Sequence, residues 1–176
     1  MQQFSDLAIT PLVLSALKKL NLIKPTPIQT LSIPLALDGK DLLGTAQTGT
    51  GKTYAFGIPL VNHLTLNKDS CALILTPTRE LALQVLKALQ DLTSNKNILD
   101  SALIIGGDSI QKQLRQLKRA RLVVGTPGRI QDHLRRKSLK LNKFDFLVLD
   151  ETDRMLDMGF VDDIKSIIEK LPTHQT

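Results

Sequence analysis

Lys52 and Thr53 close the run Ala46-Gln47-Thr48-Gly49-Thr50-Gly51-Lys52-Thr53, in which glycines stand directly before an ammonium and a hydroxyl. That order suits a phosphate chain. Backbone N–H groups from Thr48 to Thr53 can curl round an anion at the positive end of a helix, and Gly49 and Gly51 remove side chains that would block its approach. Lys52 then reaches the terminal phosphates, and the Thr53 hydroxyl reaches Mg²⁺. The usual pattern opens with Gly, where this one has Ala46. The glycine pattern of dinucleotide sites fails, because its third glycine would fall on Tyr54. A plain tight turn would need no Lys-Thr pair after its glycines.

A second centre is Asp150-Glu151, delivered by the apolar run Phe144-Asp145-Phe146-Leu147-Val148-Leu149. Asp150 can hold Mg²⁺ through its waters, and Glu151 can orient and deprotonate an attacking water. Adjacent carboxylates repel, and a bound cation offsets that repulsion. The plainer alternative makes Asp150 a helix cap and Glu151 a surface residue.

The elements that must position these groups follow from hydrophobic periodicity. Short β-rich runs recur at Asp41 to Leu43, Cys71 to Thr76, Ser101 to Ile105, Leu122 to Gly125 and Phe146 to Asp150, each followed by a helical pattern. Alternation of this kind predicts a parallel sheet covered on both faces, with ligands beyond the carboxyl ends of its strands. Helices are predicted over Leu12 to Leu20 behind Thr10-Pro11, over Tyr54 to Leu64, and over Ser109 to Ala120 capped by Asp108. In the last of these, Ile110, Leu114 and Leu117 form the expected buried stripe and Lys112, Arg115, Lys118 and Arg119 a solvated face. Asn95 to Asp100 and Lys137 to Lys143 read as exposed loops.

Composition sets outer bounds. The chain has 176 residues, 42% of them hydrophobic, enough for one domain over 1–176 with a sizeable core. With 23 Lys and Arg against 17 Asp and Glu, the formal charge of +6 admits an acidic partner such as nucleic acid. There is neither a leader-like N-terminus nor an apolar run of the ~20 residues a bilayer requires, so a cytoplasmic protein away from membranes is expected. The single Cys71 excludes a disulfide framework within the chain and reads as core. His63, His133 and His174 lack metal-binding spacing.

Asp150-Glu151-Thr152-Asp153-Arg154-Met155-Leu156-Asp157-Met158-Gly159-Phe160 resembles the signature of the DEAD-box RNA helicases, with Thr152 where that family has Ala. The resemblance covers nearly the whole chain, and Ala46 is itself a common start of the family's phosphate loop. Lys24-Pro25-Thr26-Pro27-Ile28-Gln29 looks like the family's Q motif, within a region over 1–40, with Asn21 where Gly is usual and Phe4 as the upstream aromatic. The resemblance implies a RecA-like three-layer αβα sandwich with a mainly parallel sheet, a P-loop NTPase fold. It implies ATP and Mg²⁺, with Gln29 at the adenine, Phe4 stacked on it and Thr26 among the residues that bind the nucleotide. Thr48, Gly49, Thr50, Gly51, Lys52 and Thr53 would sit round the phosphates, Thr53 and Asp150 at the metal, and Lys52, Asp150 and Glu151 would serve catalysis.

Pro77-Thr78-Arg79-Glu80-Leu81, Gly106-Gly107 and Thr126-Pro127-Gly128-Arg129 resemble the RNA-contacting motifs. Their chemistry agrees: hydroxyls, bare backbone, planar cations and helix starts all favour phosphates over bases. RNA binding should therefore be sequence-independent and salt-sensitive. Taken singly, Pro77 and Pro127 could simply begin helices, and Arg79 could be a solvated charge.

Two rival readings remain instructive. Asn142-Lys143-Phe144-Asp145 and Asp41-Leu42-Leu43-Gly44 spell guanine-site patterns, but the first precedes its strand and the second precedes the loop it should follow. A nucleotide-regulated RNA-binding adaptor is the other. The chain stops at Pro172-Thr173-His174-Gln175-Thr176, where the resemblance implies a Ser-Ala-Thr motif and then a second RecA-like domain carrying an arginine finger. A monomeric N-terminal domain fragment is expected, binding nucleotide without unwinding RNA alone, within a parent that unwinds short duplexes or remodels ribonucleoproteins.

Overall fold

The computed structural model describes residues 3–47, 49–93 and 99–172. Most of the expected loop at Asn95 to Asp100 therefore lies outside the described residues, as do Thr48 and His174. The chain packs as two compact units, one built from 3–68 with 87–93, the other from 69–86 with 99–172.

The first unit is helical. A 3-10 turn at Phe4–Asp6 precedes α1 (Pro11–Lys19), α2 (Pro27–Leu37) and α3 (Lys52–Leu66). Both α1 and α2 pack on α3, and Val13, Leu17, Ile33, Ile58, Leu60 and Leu64 are essentially inaccessible to solvent. Buried Asn62 ties α3 to the start of α1, its Oδ1 accepting from Thr10 N at 2.7 Å. At its other end α1 stops on Asn21, in the left-handed region at φ 56°. Asn21 N donates to Lys18 O at 3.1 Å and Leu22 N to Leu17 O at 2.9 Å, the paired closure that favours Gly and accepts Asn. This accounts for Asn where the family resemblance expects Gly.

Asp41 to Leu43, expected as the end of a buried strand, forms no strand, and Leu43 is 97% exposed. Only two apolar residues stand between Asp41 and Gly44, too few for a run with its own pleated face.

The second unit is α/β. Strands β1 (Cys71–Leu75), β2 (Ser101–Ile104), β3 (Leu122–Gly125) and β4 (Phe144–Leu149) form one parallel sheet in the order β2-β3-β1-β4. Helices α4 (Arg79–Asp91, of which 79–86 belong to this unit), α5 (Ile110–Leu117), α6 (Pro127–Arg135), α7 (Thr152–Asp157) and α8 (Val161–Ile168) follow its strands. Ala72 and Ile74 are as fully buried as Leu73 and Leu75, so β1 is covered on both faces, as its unbroken apolar run requires. One face packs Leu73, Leu75, Ala102, Ile104 and Val123 with Ile130 and Leu134 of α6, Met155 of α7 and Ile164 and Ile167 of α8. Burying each such Leu or Ile is worth about 1.5–3 kcal/mol relative to leaving it in water. Cys71 sits buried at the start of β1, and burial raises its thiol pKa, which keeps it protonated core.

Two further expectations change. The segment from Lys137 to Lys143 is not wholly exposed, since Leu139 and Leu141 enter the core. The cap of α5 is Ser109, whose Oγ accepts from Lys112 N at 3.4 Å, while Asp108 accepts from Ser109 N at 2.8 Å and pairs with Lys112 Nζ at 2.9 Å.

Candidate functional site

The ladder of the second unit runs one residue past its strands. Thr76 N donates to Gly125 O at 3.0 Å, Thr126 N to Ile104 O at 3.1 Å and Asp150 N to Leu75 O at 3.0 Å. These bonds align Thr76, Ile105, Thr126 and Asp150 at the carboxyl edge, so the four stretches singled out in the sequence leave the sheet side by side. A parallel sheet presents its ligand side there.

Along that edge Thr78 starts α4, its Oγ1 accepting from Leu81 N at 3.2 Å while Thr76 Oγ1 donates to Thr78 O at 3.1 Å. Pro77 is buried and Arg79 exposed. The Arg79 guanidinium lies close to Gly106-Gly107: a Cβ on Gly106 would stand 3.1 Å from Arg79 Nη2, and one on Gly107 would run into Arg79 Nη1. Gly107 also has φ +79°, so glycine there serves the turn as well as the approach of Arg79. Thr126 caps α6 through its backbone alone, Pro127 is buried in the first turn, and Gly128 is exposed.

Arg129 sits differently from the other cation of the edge. Its side chain is only 16% exposed, and it donates from Nε to Gln113 Oε1 at 3.0 Å, from Nη1 to Asp132 Oδ2 at 3.2 Å and from Nη2 to Asp108 O at 3.2 Å. Gln113 and His133 were not singled out by sequence as site residues, yet both are completely buried. Gln113, rather than Ile110, Leu114 or Leu117, is the one fully buried residue of α5. The spacing Ile110, Gln113, Leu117 is itself a helical stripe, but an amide in it carries no hydrophobic signal. Burial and then Arg129 lower the His133 pKa, so its ring is held neutral.

The acids follow β4. Glu151 adopts φ 51° and ψ 51°, a left-handed conformation costing a non-glycine residue roughly 1–2 kcal/mol, and heads α7. Its Oε2 accepts from Arg154 Nη1 at 3.3 Å. Glu151 and Arg154 line a cavity of about 320 Å³ with Thr78, Glu80, Leu81 and Gln84. The Thr152 hydroxyl donates to Leu149 O at 3.1 Å, giving the departure from Ala a local role in closing the strand end.

In the first unit the glycine loop leads into α3 as expected, with Gly49 at φ 82°, Gly51 at φ 92° and Lys52 and Thr53 as the first helical residues. Thr50 Oγ1 donates to Gln47 O at 2.7 Å. Gln29 is 4% exposed and already engaged: its Oε1 accepts from Thr26 N at 3.0 Å and its Nε2 donates to Gly51 O at 2.9 Å. The amide thus clamps the loop at its last glycine, where a Cβ would collide with it. Thr26 Oγ1 is buried with no hydrogen-bond partner among the described residues. Phe4 is 3% exposed, so its ring is core and has no open face for stacking on a base in this structure.

A parallel α/β sheet with acids at its carboxyl edge, in a chain whose glycine loop opens a helix, defines a nucleotide-using domain of the P-loop class. The DEAD/DEAH box helicase model matches residues 26–176. ATP-dependent RNA helicase CshA of Listeria monocytogenes is 45% identical over 99% of this chain and 34% of its own length. A DEAD box protein from Methanococcus jannaschii superimposes with a TM-score of 0.92 at 43% identity, covering 98% of this chain and 47% of that one. A hypothetical ATP-dependent RNA helicase from Sulfolobus tokodaii gives 0.85 at 33% identity, over 92% and 47%. The chain belongs to the DEAD/DEAH box helicase family, and it spans between a third and a half of the length of these relatives.

Proposed function

We propose that this chain is the ATP-binding and RNA-binding domain of an ATP-dependent RNA helicase whose second RecA-like domain completes the catalytic site. The observation that carries the proposal is the aligned carboxyl edge: three phosphate-suited turns and the Asp150-Glu151 pair leave one parallel sheet together. Thr78, Arg79, Gly106, Gly107, Thr126 and Gly128 offer hydroxyls, bare backbone and a cation along that edge, a set that holds a sugar-phosphate strand without reading its bases.

Lys52 and the helix start take the phosphates of the nucleotide. Thr53 carries a hydroxyl and Asp150 a carboxylate, each a hard oxygen ligand of the kind Mg²⁺ uses. Among the described residues there is no group of three His, Cys, Asp or Glu able to cage a metal. Mg²⁺, when bound with the nucleotide, would supply charge neutralisation to its phosphates. Glu151 orients and deprotonates the attacking water, and its left-handed backbone fixes the start of that side chain. Gln29, with one further Nε2 hydrogen and one further Oε1 lone pair, retains the capacity to pair with an adenine edge.

The test is titration of a fluorescent ADP analogue with Mg²⁺ and, separately, of a labelled single-stranded oligouridylate. Lys52→Ala is expected to weaken the nucleotide about 10- to 100-fold, the scale of a lost charge-assisted contact, and to leave RNA affinity unchanged. RNA affinity is expected to fall steeply with salt and to be indifferent to sequence. GTP competing as well as ATP, or a flat salt dependence, would overturn the proposal.

A further inference from the structure

Beneath the carboxyl edge lies a buried polar cluster that touches two of its turns. Gln113 Nε2 donates to Ile105 O at 2.7 Å, immediately before Gly106-Gly107. Gln113 Oε1 lies 3.0 Å from Arg129 Nε and 2.8 Å from His133 Nε2. The carbonyl of Ile105 and the N–H of Arg129 allow only one orientation of the Gln113 amide. Its Oε1 can only accept, so His133 carries a proton on Nε2, while Nδ1 lies 2.8 Å from Ser138 Oγ, a hydroxyl that donates to His133 O at 3.0 Å. Arg129 adds a second tie to the same turn, through Asp108 O at 3.2 Å. Polar groups so fully buried and mutually satisfied specify one arrangement of the elements they join.

We propose that Gln113 is a positioning residue for RNA: with Arg129 and His133 it fixes the Gly106-Gly107 turn relative to the start of α6, so that both engage one strand at once. This rests on the RNA-binding function proposed above. It also assigns Arg129 a different task from Arg79. Arg129 acts through Gln113 and Asp108 O, whereas Arg79 is exposed over the glycines and meets phosphate itself.

The experiment uses two variants and their combination, read by anisotropy of a labelled oligouridylate across a salt series, with the fluorescent ADP analogue as an independent readout. Gln113→Leu keeps the volume and removes the amide; Arg129→Lys keeps the charge and cannot bridge three acceptors. Each is expected to weaken RNA about tenfold, as one lost hydrogen bond would, with ADP affinity unchanged. The double variant is expected to be no worse than either single one. Arg129→Lys binding RNA like wild type would show that its charge alone matters, and independent losses that multiply would show separate contacts; either overturns the positioning role. If Gln113→Leu fails to fold, Arg129→Lys binding RNA like wild type still overturns the role. Wild type that does not bind RNA would instead remove the function on which the role depends.

Discussion

Replacing Gly107 by Ala perturbs the carboxyl edge at a point where two costs can be separated. A left-handed φ of +79° imposes roughly 1–2 kcal/mol on an L-residue. The added Cβ also runs into Arg79 Nη1 and stands 3.0 Å from its Cζ, so the guanidinium must leave its seat, at about 1 kcal/mol in rotamer and contact energy. The total of about 2–3 kcal/mol is measurable by urea denaturation. In an Arg79→Ala background only the backbone cost remains, so the double-mutant cycle should return a coupling of about 1 kcal/mol. Gly106→Ala, without a positive φ and with its Cβ 3.1 Å from Arg79 Nη2, should cost less than about 1 kcal/mol. In RNA titrations Gly107→Ala should lower the salt slope by about one phosphate contact, because Arg79 has been displaced. Equal stability costs in the two backgrounds would refute the contact between Arg79 and the glycine turn.

Four further outcomes are expected. Thr152→Ala should lose about 1 kcal/mol in urea unfolding, the value of its bond to Leu149 O. Asn21→Gly should raise the urea midpoint by an amount equivalent to about 0.5 kcal/mol, since the left-handed position costs Gly less than Asn. The His133 pKa is lowered in the folded protein, so the unfolded chain takes up the proton first, near 6.5. Stability from this group is complete above that pH, begins to be lost below it and goes on falling down to the lower folded-state value; His133→Gln should flatten the urea midpoint on the acid side of about pH 6.5, whereas Asp108 and Asp132, whose pKa values are lowered by Lys112 and Arg136, act only in more acid solution. In a longer protein that hydrolyses ATP, Glu151→Gln should slow turnover about 10²- to 10⁴-fold in steady-state assays while nucleotide affinity holds.

Much of this was legible because buried parallel strands announce themselves. Leu122-Val123-Val124-Gly125 and Cys71-Ala72-Leu73-Ile74-Leu75 are apolar on both faces and end on Gly or Thr-Pro, so the edge where the turns emerge could be located. Asp41 to Leu43 misled because so short an apolar run carries no period. The orientation of α5 was half legible: the outer cations Lys112, Arg115, Lys118 and Arg119 are exposed as expected, but the inner face centres on an amide. Hydropathy cannot tell a buried, fully bonded Gln from a solvated one, because its partners Ile105, Arg129 and His133 become neighbours only once the sheet has formed. The same limit hid the clamp of Gln29 on Gly51 O, which lies 22 residues away.

The backbone bonds that carry the ladder one residue beyond β1, β3 and β4 have a consequence for how such a domain can vary. Apolar exchanges that keep side-chain volume leave the departure points of Thr76, Thr126 and Asp150 where they are, except at Gly125, where a Cβ would meet the Ile104 carbonyl that accepts from Thr126 N; deleting one residue from β3 would turn Thr126 to the opposite face and misalign it with both neighbours. Length in this sheet is therefore held more tightly than the choice among apolar side chains, and a strand can change length without moving the turns only at its opposite, amino edge.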